Sequence, residues 1–200
     1  MNLKTAINNF WADEDGAVMS LGLLFAVPIL VWALLSTFVY LDLFRTELIA
    51  NKAGITLADM ISREENPITD DYIDGAVELL ELLTEADDAP DLRVTVVWYD
   101  EDADALEVSW SEHRGYDAPY TTADMTTLRN RIPIMGNFDR AIIVETRTDY
   151  SQPISYSMGP FTGADLNDVE FNTFTVIKPR FTPNFCFDEI PSSDTNVMDC

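Results

Sequence analysis

Residues 17–41, AVMSLGLLFAVPILVWALLSTFVYL, carry no charged side chain. As a helix rising about 1.5 Å per residue, this run is about 37 Å long. That is enough to cross a hydrocarbon core of about 30 Å with some tilt. Uninterrupted apolar runs of this length are rare inside soluble domains. The run therefore predicts a single transmembrane helix, taken as residues 17–43. Trp32 falls mid-span, where it suits packing, and Tyr40 sits where an interfacial anchor belongs. Pro28 withholds one helical N–H and predicts a kink. A bilayer helix tolerates this when neighbours cover the freed carbonyl. The absence of ionisable groups points to packing rather than transport. Gly22 and Ala26 form a small-xxx-small pair that lets a second helix approach closely. A cleaved secretory signal fits poorly, because Asp13, Glu14 and Asp15 precede the run against a single Lys4.

The rest of the chain has the opposite character. Of 200 residues, 12 are basic and 35 acidic, a formal charge of -23. After Phe44 come 31 acidic and 11 basic residues, so that part alone carries -20. Such acidity excludes nucleic acid as a partner, since phosphate binding needs a basic face. A hydrophobic share of 47% excludes wholesale disorder. Lys4 on one flank of the span and Arg45 with Lys52 on the other nearly tie the positive-inside count. Long acidic domains translocate regardless of charge, which favours the N-terminus inside and the large domain outside. Cys186 and Cys200 both follow the anchor. One disulfide in an oxidising compartment and two independent thiols fit them equally.

Helical patterning continues past the span through Leu48, Ile49, Ala53, Leu57, Met60 and Ile61, ending near Arg63 before Asn66-Pro67. Gly54 is the weak point of that helix. A second helix follows, capped by Thr69 or Asp70, with Tyr72, Ile73, Ala76, Val77, Leu80 and Leu83 as its stripe. It frays in residues 85–88. Leu92, Val94, Val96 and Trp98 alternate with polar and mixed positions, as do Leu106, Val108 and Trp110. Together they predict a hairpin joined through residues 100–105. A short helix is expected over 122–131, a third strand over 141–148 and a fourth over 171–178. The polar tail after Phe187 is expected to be loose. The fold class is α+β: a long membrane helix continuing into a small domain with an antiparallel sheet.

Catalytic motifs are missing. There is no P-loop, no Gly-rich dinucleotide turn, no HExxH and no GxSxG. His113, the only histidine, reads as a surface residue of a polar loop. A pairing with Cys186 has no local support. The chain reads as a non-enzyme. Asp100, Asp102 and Asp104 occur at alternate positions, a partial match to a calcium loop. Ala105 stands where such a loop needs Gly, so the favoured reading is a solvated turn whose charges keep the hairpin off other sheet edges.

The layout as a whole is familiar. Asp13-Glu14-Asp15-Gly16-Ala17-Val18 precedes a single apolar span containing a proline, then a helical extension, then a small α/β domain. This resembles the TadE/TadG-like family, pseudopilin-like components of the tight adherence (Tad) pilus machinery. Residues 51–53 and 55–63 look like the stretch after the span in a TadE-like subgroup. So do the strand at 92–97 and the closing residues 173–176 and 178–181, so the likeness touches most of the chain. It implies a pilin-like fold, a cytoplasmic N-terminus in a bacterial inner membrane, and a domain in the periplasm or in a filament. It implies a structural role, as a minor pilin or pseudopilin, without cofactor. The implied partners are the bilayer, other pilin or pilus-assembly proteins, and a prepilin peptidase cutting after Gly16 to leave Ala17. The segments are then 1–16 as leader or cytoplasmic segment, 17–43 as span, 44–187 as domain and 188–200 as tail. Leu21 stands where pilins usually place a glutamate. Either Gly16 stays uncut, or the chain is a minor subunit at the start of a filament. The alternative from a different class is an anchored binding or sensing ectodomain, with a cation such as calcium at Asp100, Asp102 and Asp104.

Overall fold

The computed structural model describes residues 14–86, 88–151, 169–182, 185–188 and 198–199. A single helix, α1 (Glu14–Ser62), takes up 49 of them. It runs through Pro28 without interruption. It stops where the N–H groups of Arg63 and Glu64 turn back onto the carbonyls of Met60 and Ile61, one residue before the predicted end. Asn66-Pro67 lies just beyond, and a residue before proline resists the helical region.

The inner face of α1 is Val39, Ala50, Ala53, Leu57, Ala58 and Ile61, all buried. Leu48, expected on this stripe, is exposed instead. It belongs to the opposite side of the helix, because two or five residues is the wrong spacing to share a face with Ala50 or Ala53. The helix is mostly small on its buried face and so lies close on what it covers.

A two-residue strand, β1 (Ile68–Thr69), leads into α2 (Asp70–Thr84). Thr69 caps α2, its side-chain oxygen accepting the N–H of Tyr72 at 3.3 Å, with Asp70 and Asp71 at the positive end of the dipole. Glu85 closes it in the left-handed region at φ 52°. Its buried face is Ile73, Ala76, Leu80 and Thr84. Leu83, predicted on that face, is 37% exposed, because Thr84 takes the buried position and bonds back to the Leu80 carbonyl.

The main sheet has the order β3-β2-β4-β5, wholly antiparallel. Its strands are β2 (Asp91–Asp100), β3 (Ala105–Arg114), β4 (Arg140–Asp149) and β5 (Glu170–Ile177). The predicted hairpin and both later strands are present. One sheet face carries Leu92, Val94, Val96, Ile142 and Val144 against α1 and α2. The connection from β3 to β4 crosses the other face. There Met125, Leu128, Ile132 and Met135 cover Val97, Ala141 and Ile143. The predicted helix at 122–131 is three short turns in this crossing: 3-10 at Thr122–Asp124, α3 (Met125–Leu128), then 3-10 at Arg129–Arg131.

The register slips between Val96 and Val97: Val96 faces Trp110, and Val97 faces Val108. Ser109 is thus the extra residue of a bulge. Simple alternation would put Leu106, Val108 and Trp110 on one face. The bulge separates them, placing Trp110 with α1 and α2 and Leu106 with the crossing segment, since one inserted residue exchanges the faces.

A small second sheet orders β1-β6-β7, with β6 (Phe187–Asp188) parallel to β1 and antiparallel to β7 (Met198–Asp199). Residues 198–199 of the tail expected to be loose are paired in this sheet, and residues 189–197 lie outside the described residues. Phe185 and Phe187 are buried and stack on Trp110, whose indole N–H donates to the Phe185 carbonyl at 2.8 Å. Cys186 between them is disulfide-bonded; Cys200 lies outside the described residues. The chain is therefore α+β, a long N-terminal apolar helix joined to a C-terminal antiparallel sheet domain.

Candidate functional site

The sheet domain seats on α1 only from Val39 onward. Val39 and Leu43 pack with Tyr150, Val169 and Phe171. Tyr150 donates its hydroxyl to the Asp42 carboxylate at 2.9 Å. This seat begins inside the range 17–43 expected for the span. Towards the N-terminus the side chains of residues 20–38 are almost all exposed, including Leu23, Leu24, Phe25, Leu30 and Leu34. These 19 residues span about 28 Å as a helix, close to the thickness of a hydrocarbon core, about 30 Å. Their polar groups are internally satisfied: the hydroxyls of Ser36 and Thr37 donate to the carbonyls of Trp32 and Ala33 at 2.9 and 2.8 Å. The helix is thus long and apolar enough to cross a membrane.

Further along, three contacts lock α1 to the domain. Gly54 lies against the sheet where the hydroxyls of Thr146 and Thr173 bond to each other, 2.7 Å apart and buried. Asp59 holds Arg63 at 2.7 Å and Arg180 at 2.6 Å, and the Arg180 N–H donates to the Ser62 carbonyl. The closing segment after β5 is thereby pinned to the end of α1.

The residues singled out in the sequence fall as follows. Gly16 and Ala17 lie within α1, near its first turn. Gly22 faces open space, and Ala26 is exposed. Pro28 is inside the helix on the protruding part. Asp100 and Asp104 are occupied by the turn. Asp100 accepts the N–H groups of Asp102 and Ala103 at 2.9 and 3.3 Å. Asp104 accepts the Tyr99 hydroxyl at 2.7 Å and Arg129 at 3.0 Å, and these, Tyr99 first, hold its carboxyl below the usual range. Among the described residues, no three His, Cys, Asp or Glu side chains are gathered to hold a metal ion. His113 is in strand β3, not in a loop, and its Nδ1 is buried without a hydrogen-bond partner among the described residues.

One cluster escaped the sequence reading. On the crossing-segment face, Arg93 pairs with Glu145 at 2.6 Å, both nearly buried. Tyr120 donates to the other Glu145 oxygen at 3.1 Å. The Arg93 guanidinium lies 3.5 Å from the Tyr120 ring centroid and 4.4 Å from that of Tyr116. Arg147 pairs with Asp91 on the next row and also approaches Tyr116. Every charge here is spent within the cluster, so it fastens the crossing segment to the sheet and leaves no open group for chemistry. The only signal in sequence is a polar residue interrupting each strand on alternate positions.

Burial pushes three phenols up to about 12: Tyr72, Tyr116 and Tyr150, helped respectively by the charges of Glu64, Glu145 and Asp42. An unfolded tyrosine ionises near pH 10. Above that value the unfolded chain releases protons that the folded chain retains. The stabilisation is complete below pH 10 and is lost as pH rises towards 12. Melting midpoints should therefore fall steeply between these values. Absorbance at 295 nm should show these three of the seven tyrosines ionising late, with Tyr120 also raised by its burial. A flat midpoint across that window would contradict the assignment.

Comparison with protein-family models, curated proteins and solved structures finds no match for this chain.

Proposed function

We propose that this protein is a single-pass membrane-anchored structural subunit, a minor pilin or pseudopilin of a Tad-type pilus. In this reading α1 spans a bacterial inner membrane with its N-terminus in the cytoplasm. The sheet domain rests on the outer surface from Val39. The carrying observation is the abrupt change along one helix, with apolar exposed side chains at residues 20–38 and a packed domain immediately after. The domain's seat on α1, from Val39 and Leu43 to the Asp59–Arg180 pair, transmits position. That suits a part which acts by packing. The pilus assignment rests on the resemblance of the anchor and its flanks, and Gly16-Ala17 would be the bond cut by a prepilin peptidase.

Two measurements test the two halves. The full chain is expected in the membrane fraction, resistant to carbonate. Replacing Leu30 and Leu34 with glutamate should release it, since a carboxylate at the centre of a span costs about 2.5–3.5 kcal/mol on insertion scales. Wild-type chain in the soluble fraction would sink the anchor. For the pilus role, mass spectrometry of chain from membranes holding the cognate peptidase should give Ala17 as the first residue. An intact Met1 there would remove the processing step, and absence from the filament fraction would remove the assembly role.

A further inference from the structure

We infer that the outer face of α1 is a seam for a second copy of this chain, forming a parallel, in-register pair. This rests on the anchored reading above and goes beyond it by naming the partner and the face. Leu30, Leu34, Leu41, Phe44, Leu48 and Ile55 are between 58% and 70% exposed. Their spacings of four, seven, three, four and seven are those of a heptad seam. At about 100° per residue, this line lies across the helix from Val39, Ala50, Ala53 and Leu57, which face the domain. The domain therefore does not obstruct it.

Lipid explains exposed leucines below Val39. It does not explain Phe44, Leu48 and Ile55, which continue the same line beside the packed domain. Single exposed apolar residues are ordinary, but a continuous line is a contact surface. The charges beside it identify the occupant. With Leu41, Leu48 and Ile55 as one core position of the heptad and Phe44 as the other, Glu47 and Lys52 take the two flanking positions. In a parallel in-register pair, Glu47 of each copy meets Lys52 of the other, twice over. Neither has an ion-pair partner in its own chain among the described residues. Asn51 falls at the same core position as Phe44, one heptad on, with its amide donating to the Glu47 carbonyl of its own helix at 3.0 Å. Copies inserted with the same orientation are parallel already, so the membrane removes the competing arrangement. A self-complementary patch of this kind closes as a two-fold pair.

Cysteine crosslinking in membranes tests this. No free cysteine occurs among the described residues, so Leu48→Cys and Ile55→Cys introduce the reporting thiol in the full chain. Leu82→Cys on the exposed side of α2 is the control. Mild oxidation should shift the first two to twice the 22.5 kDa monomer mass and leave the control monomeric. In the Leu48→Cys background, Glu47→Lys should lower the dimer yield by about tenfold, as two attractions become repulsions. Adding Lys52→Glu should restore it. Membrane-bound chain that fails to crosslink, crosslinks equally at Leu82, or gains nothing from the second charge change overturns the pair and leaves the anchor standing. Crosslinking at Leu48 in chain recovered from the soluble fraction would keep the pair and overturn the anchor. Soluble chain without crosslinks overturns both.

Discussion

Replacing Glu145 with alanine should destabilise the domain by about 3–5 kcal/mol, the usual result of removing one member of a buried ion pair. The residue is 7% exposed, and its carboxylate serves both the Arg93 guanidinium and the Tyr120 hydroxyl. Its loss strands a positive charge between two aromatic rings, with only the Ala118 carbonyl at 3.3 Å left to it. The crossing segment would lose its attachment there, and with it the cover over Val97 and Ile143. Glu145→Gln keeps an acceptor and should lose less. Arg93→Met with Glu145→Leu should be far milder than either single change, because an apolar pair of similar volume replaces a charge pair at little net cost. Urea unfolding of the full chain, held in detergent, measures each of these variants. If Glu145→Ala and the double variant unfold at the same urea concentration, the cluster does not carry this load.

That cluster marks where reading the sequence stops. Arg93 and Glu145 are 52 positions apart, and nothing local announces that they meet. Their pairing needs the register of β2 against β4, and the register needs the whole sheet. The same limit hid the bulge. Leu106, Val108 and Trp110 alternate without a break, so an extra residue at Ser109 leaves no trace until β2 is laid beside it. Phe185 and Phe187 stand in a proline-punctuated, acidic tail. Only the proximity of Trp110 makes them core. By contrast the apolar helix, the Thr69 cap and the β2–β3 hairpin were legible, because each is decided by its own few residues. For the candidate site, the long apolar helix could be read in advance. The place where the domain takes hold of it, at Val39 and Asp42, could not, since Tyr150 lies 108 positions away.

Gly54 should be a sensitive position on α1, where the helix lies on the sheet. Glycine weakens a helix interior by about 1 kcal/mol relative to alanine, so sequence alone makes it a flaw. The sheet explains it. A Cβ added at Gly54 would stand 2.6 Å from the Thr173 hydroxyl oxygen and 3.3 Å from its Cβ. Alanine would have to turn that hydroxyl away from Thr146, leaving a buried polar group unmatched at about 1–3 kcal/mol. The propensity gain offsets part of this, so Gly54→Ala should be destabilising by about 0–2 kcal/mol. Gly54→Leu has no such escape. Overpacking adds about 1–3 kcal/mol to the lost bond, for a total of about 2–6 kcal/mol. The alternative to paying that in the core is for α1 to lift from β4 and β5, which would tilt the domain on its anchor. Thermal melts of full chain in detergent report the first outcome. The Gly54→Ala, Thr173→Ala pair should lose less than the two single changes summed, a coupling expected only of residues in contact. Strict additivity, with Gly54→Leu melting like the wild type, would mean that α1 is not seated on the sheet at this point.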